Sequence, residues 1–196
     1  MIDILSQKEG IPAAYPTITG LSDQGEETDQ GEEPDQGTEI NQAAIWQRIE
    51  AYIAYRWQTR EVTWLLAGAE GDNFTLPLTP IISLTAEKWE NPAWVSVTLA
   101  EGPLGYCLTS DGTYRITAQV GDTGAVPAAV EEAFRRLAEY SREISQDSMV
   151  TGHPSHQSHS YSLDTIQESF SRQATWAARA IQNSGAGDLL RPYRRV

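Results

Sequence analysis

Reactive side chains are scarce in this chain. It has one cysteine, Cys107, and three histidines, His153, His156 and His159, among 196 residues. A single cysteine excludes an internal disulfide and fits a reducing compartment. Nucleophilic catalysis needs a nucleophile beside a base. No histidine lies near Cys107 in sequence, and its setting in an alternating stretch reads as a small buried hydrophobe in a strand. The histidines are three apart, a ligand-like spacing. Pro154 and the serines around them argue against a helix, and a metal site needs rigid supporting groups, so this stretch reads as a flexible linker. No glycine-rich loop has the spacing of a P-loop or a dinucleotide fold, and no pair of carboxylates stands out as an acid/base couple. The expectation is a protein that is not an enzyme and binds neither metal nor cofactor.

Positive charge is short as well. Lys and Arg total 14 against 27 Asp and Glu, for a net charge of −13. Ten of the acids and only one base, Lys8, fall in residues 1–41, which leaves residues 42–196 with a net charge of −4. A mildly acidic core with no basic stripe argues against general nucleic-acid binding. No apolar run approaches the roughly 18–20 residues that cross a bilayer. The opening MIDILSQKEG lacks the basic start and apolar run of a signal peptide. The sequence therefore predicts a soluble protein made in the cytoplasm.

What is present divides the chain into a tether, a core, a linker and a tail. Residues 1–38 read as an acidic, largely disordered N-terminal tether. The short apolar IPAAYPTI is broken by Pro12 and Pro16, and residues 23–37 repeat DQGEE, DQGEE, DQG at a six-residue period. Such a segment buries too little apolar area to offset an ordering entropy of roughly 1–2 kcal/mol per residue. It also lacks the carboxylate order of a calcium loop. Residues 39–145 read as the folded core. Ile45, Ile49, Tyr52 and Ile53 share one face of a helix predicted over 38–57, with Thr38 or Asn41 as its N-cap. From Arg60 the period changes to two: Val62, Trp64 and Leu66 alternate with Glu61 and Thr63.

Further alternating runs follow at Phe74, Leu76 and Leu78, at Ile82, Leu84 and Ala86, and at Val95, Val97 and Leu99. Tyr106 and Leu108, and then Tyr114, Ile116, Ala118 and Val120, complete the set, with turns at Asn91-Pro92 and Asp111-Gly112. This pattern predicts an antiparallel sheet with one apolar face, which the helices must cover. A second helix starts at Pro127, carries Val130, Phe134, Leu137 and Ile144 on one face, and fades near Gln146. Residues 146–170 read as a flexible linker. Residues 171–196 hold a third helix, over 172–184, and a basic tail.

Six Trp and eight Tyr exceed what one small sheet needs for its core. Trp and Tyr are favoured anchors at protein interfaces, which makes Trp46, Tyr55, Trp57 and Trp176 candidate subunit-interface residues. The closing LLRPYRRV reads as a docking peptide, with apolar anchors among arginines that pair with carboxylates. A different class of reading uses aromatics of the sheet, such as Trp89 and Trp94, to stack on sugars in a ligand- or carbohydrate-binding module. A concave pocket holding a convergent pair of carboxylates would favour that reading.

Three stretches together, IWQRIEAYIAYRW with REVTWLL, VPAAVEEAFRRLAEY, and TWAARAIQNSGAGDLLRPYRRV, resemble the head–tail connector (adaptor) proteins of long-tailed bacteriophages and α-proteobacterial gene transfer agents. The closing segment is the most specific part, and the acidic repeat is outside the family's pattern. The resemblance implies an α+β fold: a small helical bundle with an antiparallel β-sheet insertion between the first and second long helices and an extended C-terminal arm. It implies a virion structural protein at the head–tail junction, or neck, forming with neighbouring copies a ring, usually of twelve, beneath the portal protein. A stopper or tail-terminator protein would lie below, and DNA would pass through without sequence-specific binding or any membrane contact. Portal docking is carried over onto Leu189, Leu190, Arg191, Pro192, Tyr193, Arg194, Arg195 and Val196.

Overall fold

The computed structural model describes residues 2–19, 41–151, 158–163, 166–171 and 178–194. The chain divides into two compact units, one of Met1–Pro16, Glu50–Ala125 and Arg194–Val196, the other of Thr17–Ile49 and Val126–Tyr193. The fold is α+β, with seven strands of its antiparallel sheets between the first and second helices in sequence.

The first unit is built on a five-stranded antiparallel sheet. Its strands are β1 (Asp3–Glu9), β2 (Arg60–Gly68), β4 (Ile81–Glu90), β5 (Ala93–Val97) and β8 (Gly112–Val120), in the order β1-β2-β8-β4-β5. β3 (Asn73–Phe74), β6 (Ala100–Gly102) and β7 (Gly105–Cys107) make a small sheet of order β3-β7-β6. The period-two pattern of β2 and β8 is satisfied in register. Val62 pairs with Ala118, Trp64 with Ile116 and Leu66 with Tyr114, so all six side chains point to one face, and all are buried. The Tyr114 hydroxyl donates to the Ser110 carbonyl at 2.7 Å and accepts the Ser110 N–H at 3.1 Å, which closes the turn before β8.

The apolar face is covered differently from the sequence expectation. Within this unit Phe74, Leu76, Leu78 and Leu108 join the sheet residues in one buried cluster, so the segment read as a strand over 74–78 helps to roof the sheet. Only Asn73 and Phe74 pair, with Cys107 and Tyr106; Pro77 and Pro80 lack the N–H that a longer ladder requires. The alternation read in Ile82, Leu84 and Ala86 is also broken. The pairing of β4 with β8 shifts between Ile81 and Ser83, and Ile82 is left 59% exposed while Ala86 is buried. β1 carries no strand signal in the sequence, because DILSQKE has no alternating apolar residues. It pairs antiparallel with β2, and most of its side chains are exposed.

The first helix, α1 (Gln42–Ile53), is shorter than the 38–57 pattern suggests. Asn41 caps it, accepting the Ala44 N–H on Oδ1 at 3.0 Å. It ends because Ala54 turns into the left-handed region, at φ 59°. The Ala54 N–H still closes on the Glu50 carbonyl at 2.9 Å, and the chain then turns so that the Trp57 N–H reaches the Glu50 carboxylate.

The second unit contains the start of α1, the long α2 (Ala128–Thr151), the hairpin of β9 (Ser158–Leu163) and β10 (Ile166–Ser171), α3 (Ala180–Asn183) and α4 (Ala186–Leu190), followed by a 3₁₀ turn over Arg191–Tyr193. Ile45, Trp46 and Ile49 of α1 are buried, as are Val130, Ala133, Phe134, Leu137 and Ala138 of α2. The Trp46 and Phe134 rings meet at 5.0 Å. Glu131 and Glu132 near the positive end of α2 pair with Arg135 and Arg136. α2 runs to Thr151, beyond the expected end near Gln146, and the strands of β9 and β10 lie in the stretch read as a linker. Of the third helix expected over 172–184, the described part is α3 alone. Residues 1 and 20–40, and with them the acidic repeat, lie outside the described residues.

Candidate functional site

The C-terminal segment folds as far as its description extends. Gly185 stands at φ 73°, in the left-handed region, and lets the chain turn from α3 into α4. On α4, Ala186 and Leu190 are buried and Leu189 is half-buried. Arg191, Pro192, Tyr193 and Arg194 are exposed. The Arg194 guanidinium lies 5.3 Å from the centre of the Tyr52 ring. Arg195 and Val196 are outside the described residues. Of the eight docking candidates, four thus offer exposed side chains, and Leu190 is a core residue of its own unit. Through residue 193 the segment is helical rather than an extended arm.

The candidate interface aromatics are placed differently. Trp46 is wholly enclosed by its own chain and Trp57 is 3% exposed. Tyr55 is half-buried, its ring tilted against that of Trp57 with ring centres 4.9 Å apart. Its hydroxyl donates to Asp122 Oδ2 at 3.0 Å. Burial, then the neighbouring Asp122 carboxylate, raise the Tyr55 phenol above its ordinary value. The Gly124 N–H, then the Tyr55 hydroxyl, hold Asp122 below its own. Trp176 is outside the described residues.

Sequence patterns gave no warning of a buried charge network in the first unit. Arg60 donates from Nη1 to Glu50 Oε2 at 2.9 Å and from Nη2 to Glu50 Oε1 at 3.0 Å. Arg56 donates to the Glu50 carbonyl at 2.7 Å. Glu9, brought in by β1, accepts from Arg56 Nε at 2.6 Å and Nη2 at 2.9 Å, and from Arg60 Nη1 at 3.0 Å. Burial raises the Glu50 carboxyl above its ordinary 4.5, against hydrogen bonds from the Trp57 N–H and Arg60. Burial pushes Glu9 the same way, but the hydrogen bond and charge of Arg56, then those of Arg60, outweigh it and hold Glu9 below 4.5. The directions differ because Glu50 is enclosed while the Glu9 side chain keeps 24% of its surface in solvent. Gln7 adds a second key, accepting the Trp64 Nε1–H at 2.8 Å. The network fastens β1 and ends α1. Nothing in it resembles a reacting centre: every group is committed to a partner.

An open groove of about 770 Å³ runs along β4 and is lined by Leu76, Leu84, Val97, Leu99 and Tyr106, with threonines and serines between them. Among the described residues Glu101 is its one charged lining residue, and they bring no convergent carboxylate pair to it. Trp89 and Trp94 are cross-strand partners with ring centres 5.2 Å apart. Arg115 lies 4.6 Å over Trp94 and is held by Glu87, and neither tryptophan lines the groove. Cys107 is half-buried in β7. His153 and His156 are outside the described residues, and His159 falls in β9. Among the described residues no three His, Cys, Asp or Glu side chains converge on a metal position, and no helix is long and apolar enough to cross a membrane.

No protein-family model matches the chain, and no curated protein does. Solved structures do. A chain in the virion of a native gene transfer agent particle is 17% identical, with a TM-score of 0.54, over 100% of this chain and 96% of that one. A chain in the neck of an empty gene transfer agent particle, computed with C6 symmetry, is 18% identical with a TM-score of 0.46, over 79% and 76%. At such identities the first likeness is one of fold.

Proposed function

We propose that this chain is a structural protein of a phage or gene transfer agent virion, without catalytic activity, placed in the neck as a head–tail connector (adaptor). The observation that carries this reading is the likeness of fold, over 100% of this chain and 96% of the other, to a protein of a native gene transfer agent virion. Three features support it. The exposed Arg191, Tyr193 and Arg194 follow a helix whose Leu190 is buried, so basic and aromatic side chains are open to a partner. The chain is acidic overall, which suits a channel that must let DNA pass without gripping it. The charged groups of the network in the first unit, Glu9, Glu50, Arg56 and Arg60, serve to hold the fold.

In this reading copies of the chain form a ring, of twelve subunits by the family resemblance, beneath the portal. The tip formed by residues 191–196 docks on the portal protein, and a stopper or tail-terminator protein lies below. Electron microscopy of particles carrying the chain tests it. A ring at the neck whose density fits this fold is the expected result; the chain's absence from the neck would refute it. Deleting residues 191–196 should abolish capture of the portal protein while leaving the fold intact, and unchanged capture would remove the docking assignment.

A further inference from the structure

We infer that the two margins of the five-stranded sheet bind each other between copies of this chain, with β1 of one copy lying along the open stretch of β4 in the next. The inference rests on the ring reading above and supplies the contact that would close such a ring.

The exposed apolar side chains are sorted. Among the described residues eight large ones are exposed, and seven belong to the sheet unit. Ile4 and Leu5 lie on β1 and Ile11 just beyond it, whereas Ile82, Trp89 and Val95 lie on β4 and β5, and Leu104 in the turn from β6 to β7. Isolated exposed apolar residues are ordinary. Here they collect at β1 on one side and around β4, β5 and the β6–β7 turn on the other, with β2 and β8 between.

The backbone is open at the same two places. Among the described residues, β1 has β2 on one side and no strand on the other. Among the described residues, β5 covers only residues 86–90 of β4, and the stretch 81–85 pairs with β8 alone. Unpaired strand edges are templates for another chain, and a strand added there gains main-chain hydrogen bonds while side-chain pockets give specificity. The groove along residues 81–85, walled by Leu84, Val97, Leu99 and Tyr106, is such a pocket.

Charge selects the occupant. Among the described residues Glu101 is the one charged residue lining the groove, and it is exposed. Lys8, exposed on β1, is the only base in residues 1–41. The chain thus carries an open strand with apolar side chains and a cation on one margin, and an open strand with an apolar groove and an anion on the other. Two different surfaces that fit each other produce head-to-tail contacts, which close rings; a two-fold dimer would need one self-complementary patch.

Disulfide trapping tests this in the full-length chain with Cys107→Ser. Ser6→Cys and Ser83→Cys, both at exposed positions, are made as separate variants, mixed and oxidised. The expected product is the mixed Ser6→Cys/Ser83→Cys dimer, in clear excess over either homodimer. Adding Ile82→Asp to the Ser83→Cys chain should cut its yield by about tenfold, since a charge would enter a desolvated contact, while the melting temperature stays unchanged. Yields at the random ratio, or no mixed dimer, overturn the inference. Microscopy of wild-type particles is read separately. A ring without mixed dimers means that something else occupies the groove, and the inference alone fails. Mixed dimers with no ring at the neck would leave the edge contact standing and refute the connector reading.

Discussion

Arg60 grips Glu50 with two parallel hydrogen bonds of 2.9 and 3.0 Å, and neither side chain is more than 3% exposed. The pair joins the last turn of α1 to the start of β2. Breaking a buried pair by removing one partner leaves an uncompensated charge and costs about 3–5 kcal/mol. Glu50→Ala also releases the Trp57 N–H and removes the anion that Arg56 and Arg60 surround. For a chain of this size the expected fall in melting temperature is about 10 °C, measured by calorimetry or circular dichroism. A fall of only a degree or two would mean that water reaches the arginines.

Glu9 ties β1 to the same arginines and makes its contribution depend on pH. Its carboxyl is held below 4.5 in the folded chain. Its stabilisation is therefore complete above the unfolded value and is lost as pH falls through the lower, folded one. Glu50 works in the opposite sense: its folded value is raised, so its protonation favours the folded state as pH falls. Comparing wild type with Glu9→Gln separates the two. The variant should be less stable by about 1 kcal/mol at pH 7, since the Glu9 side chain is partly solvated, and the gap should close in strongly acid solution. A gap independent of pH would show that the Glu9 charge contributes nothing.

Gln7 supplies the other attachment of β1, through the Trp64 Nε1–H. Gln7→Ala should let β1 open locally while the rest of the sheet stays closed. Hydrogen exchange would show this as faster exchange over residues 3–10 with no change in β8. Equal acceleration in β8 would mean that β1 and the central strands unfold together.

These attachments explain what could be read from the sequence. β2 and β8 were legible because both faces of their pattern are simple: Val62, Trp64, Tyr114 and Ile116 go in and their neighbours go out. β1 was not, because it is held by its backbone and by Gln7 and Glu9, whose partners lie more than 40 residues away. The end of α1 is hidden in the sequence for a related reason. Tyr55 and Trp57 prolong the aromatic run, but Ala54 turns the chain so that Glu50 can gather Trp57, Arg56 and Arg60. The tail was legible in composition, while the division of its labour was not: Leu190 lies inside and Arg191 outside.

That division yields the last prediction. Leu190 is fully buried among the helices of its unit, and truncating a buried leucine to alanine costs about 2–5 kcal/mol through lost transfer energy and the cavity left behind. Arg191, Pro192, Tyr193 and Arg194 are exposed, and surface changes away from buried contacts usually shift stability by less than about 0.5 kcal/mol. Leu190→Ala should therefore lower the melting temperature by several degrees, whereas a chain ending at Leu190 should melt close to wild type. The two variants separate anchor from tip. If the shortened chain melts as early as Leu190→Ala, the contact of Arg194 with Tyr52 is structural, and the tip is part of the fold. If it melts like wild type and fails to bind the portal, residues 191–196 are a docking element on a helix that Leu190 keeps in place.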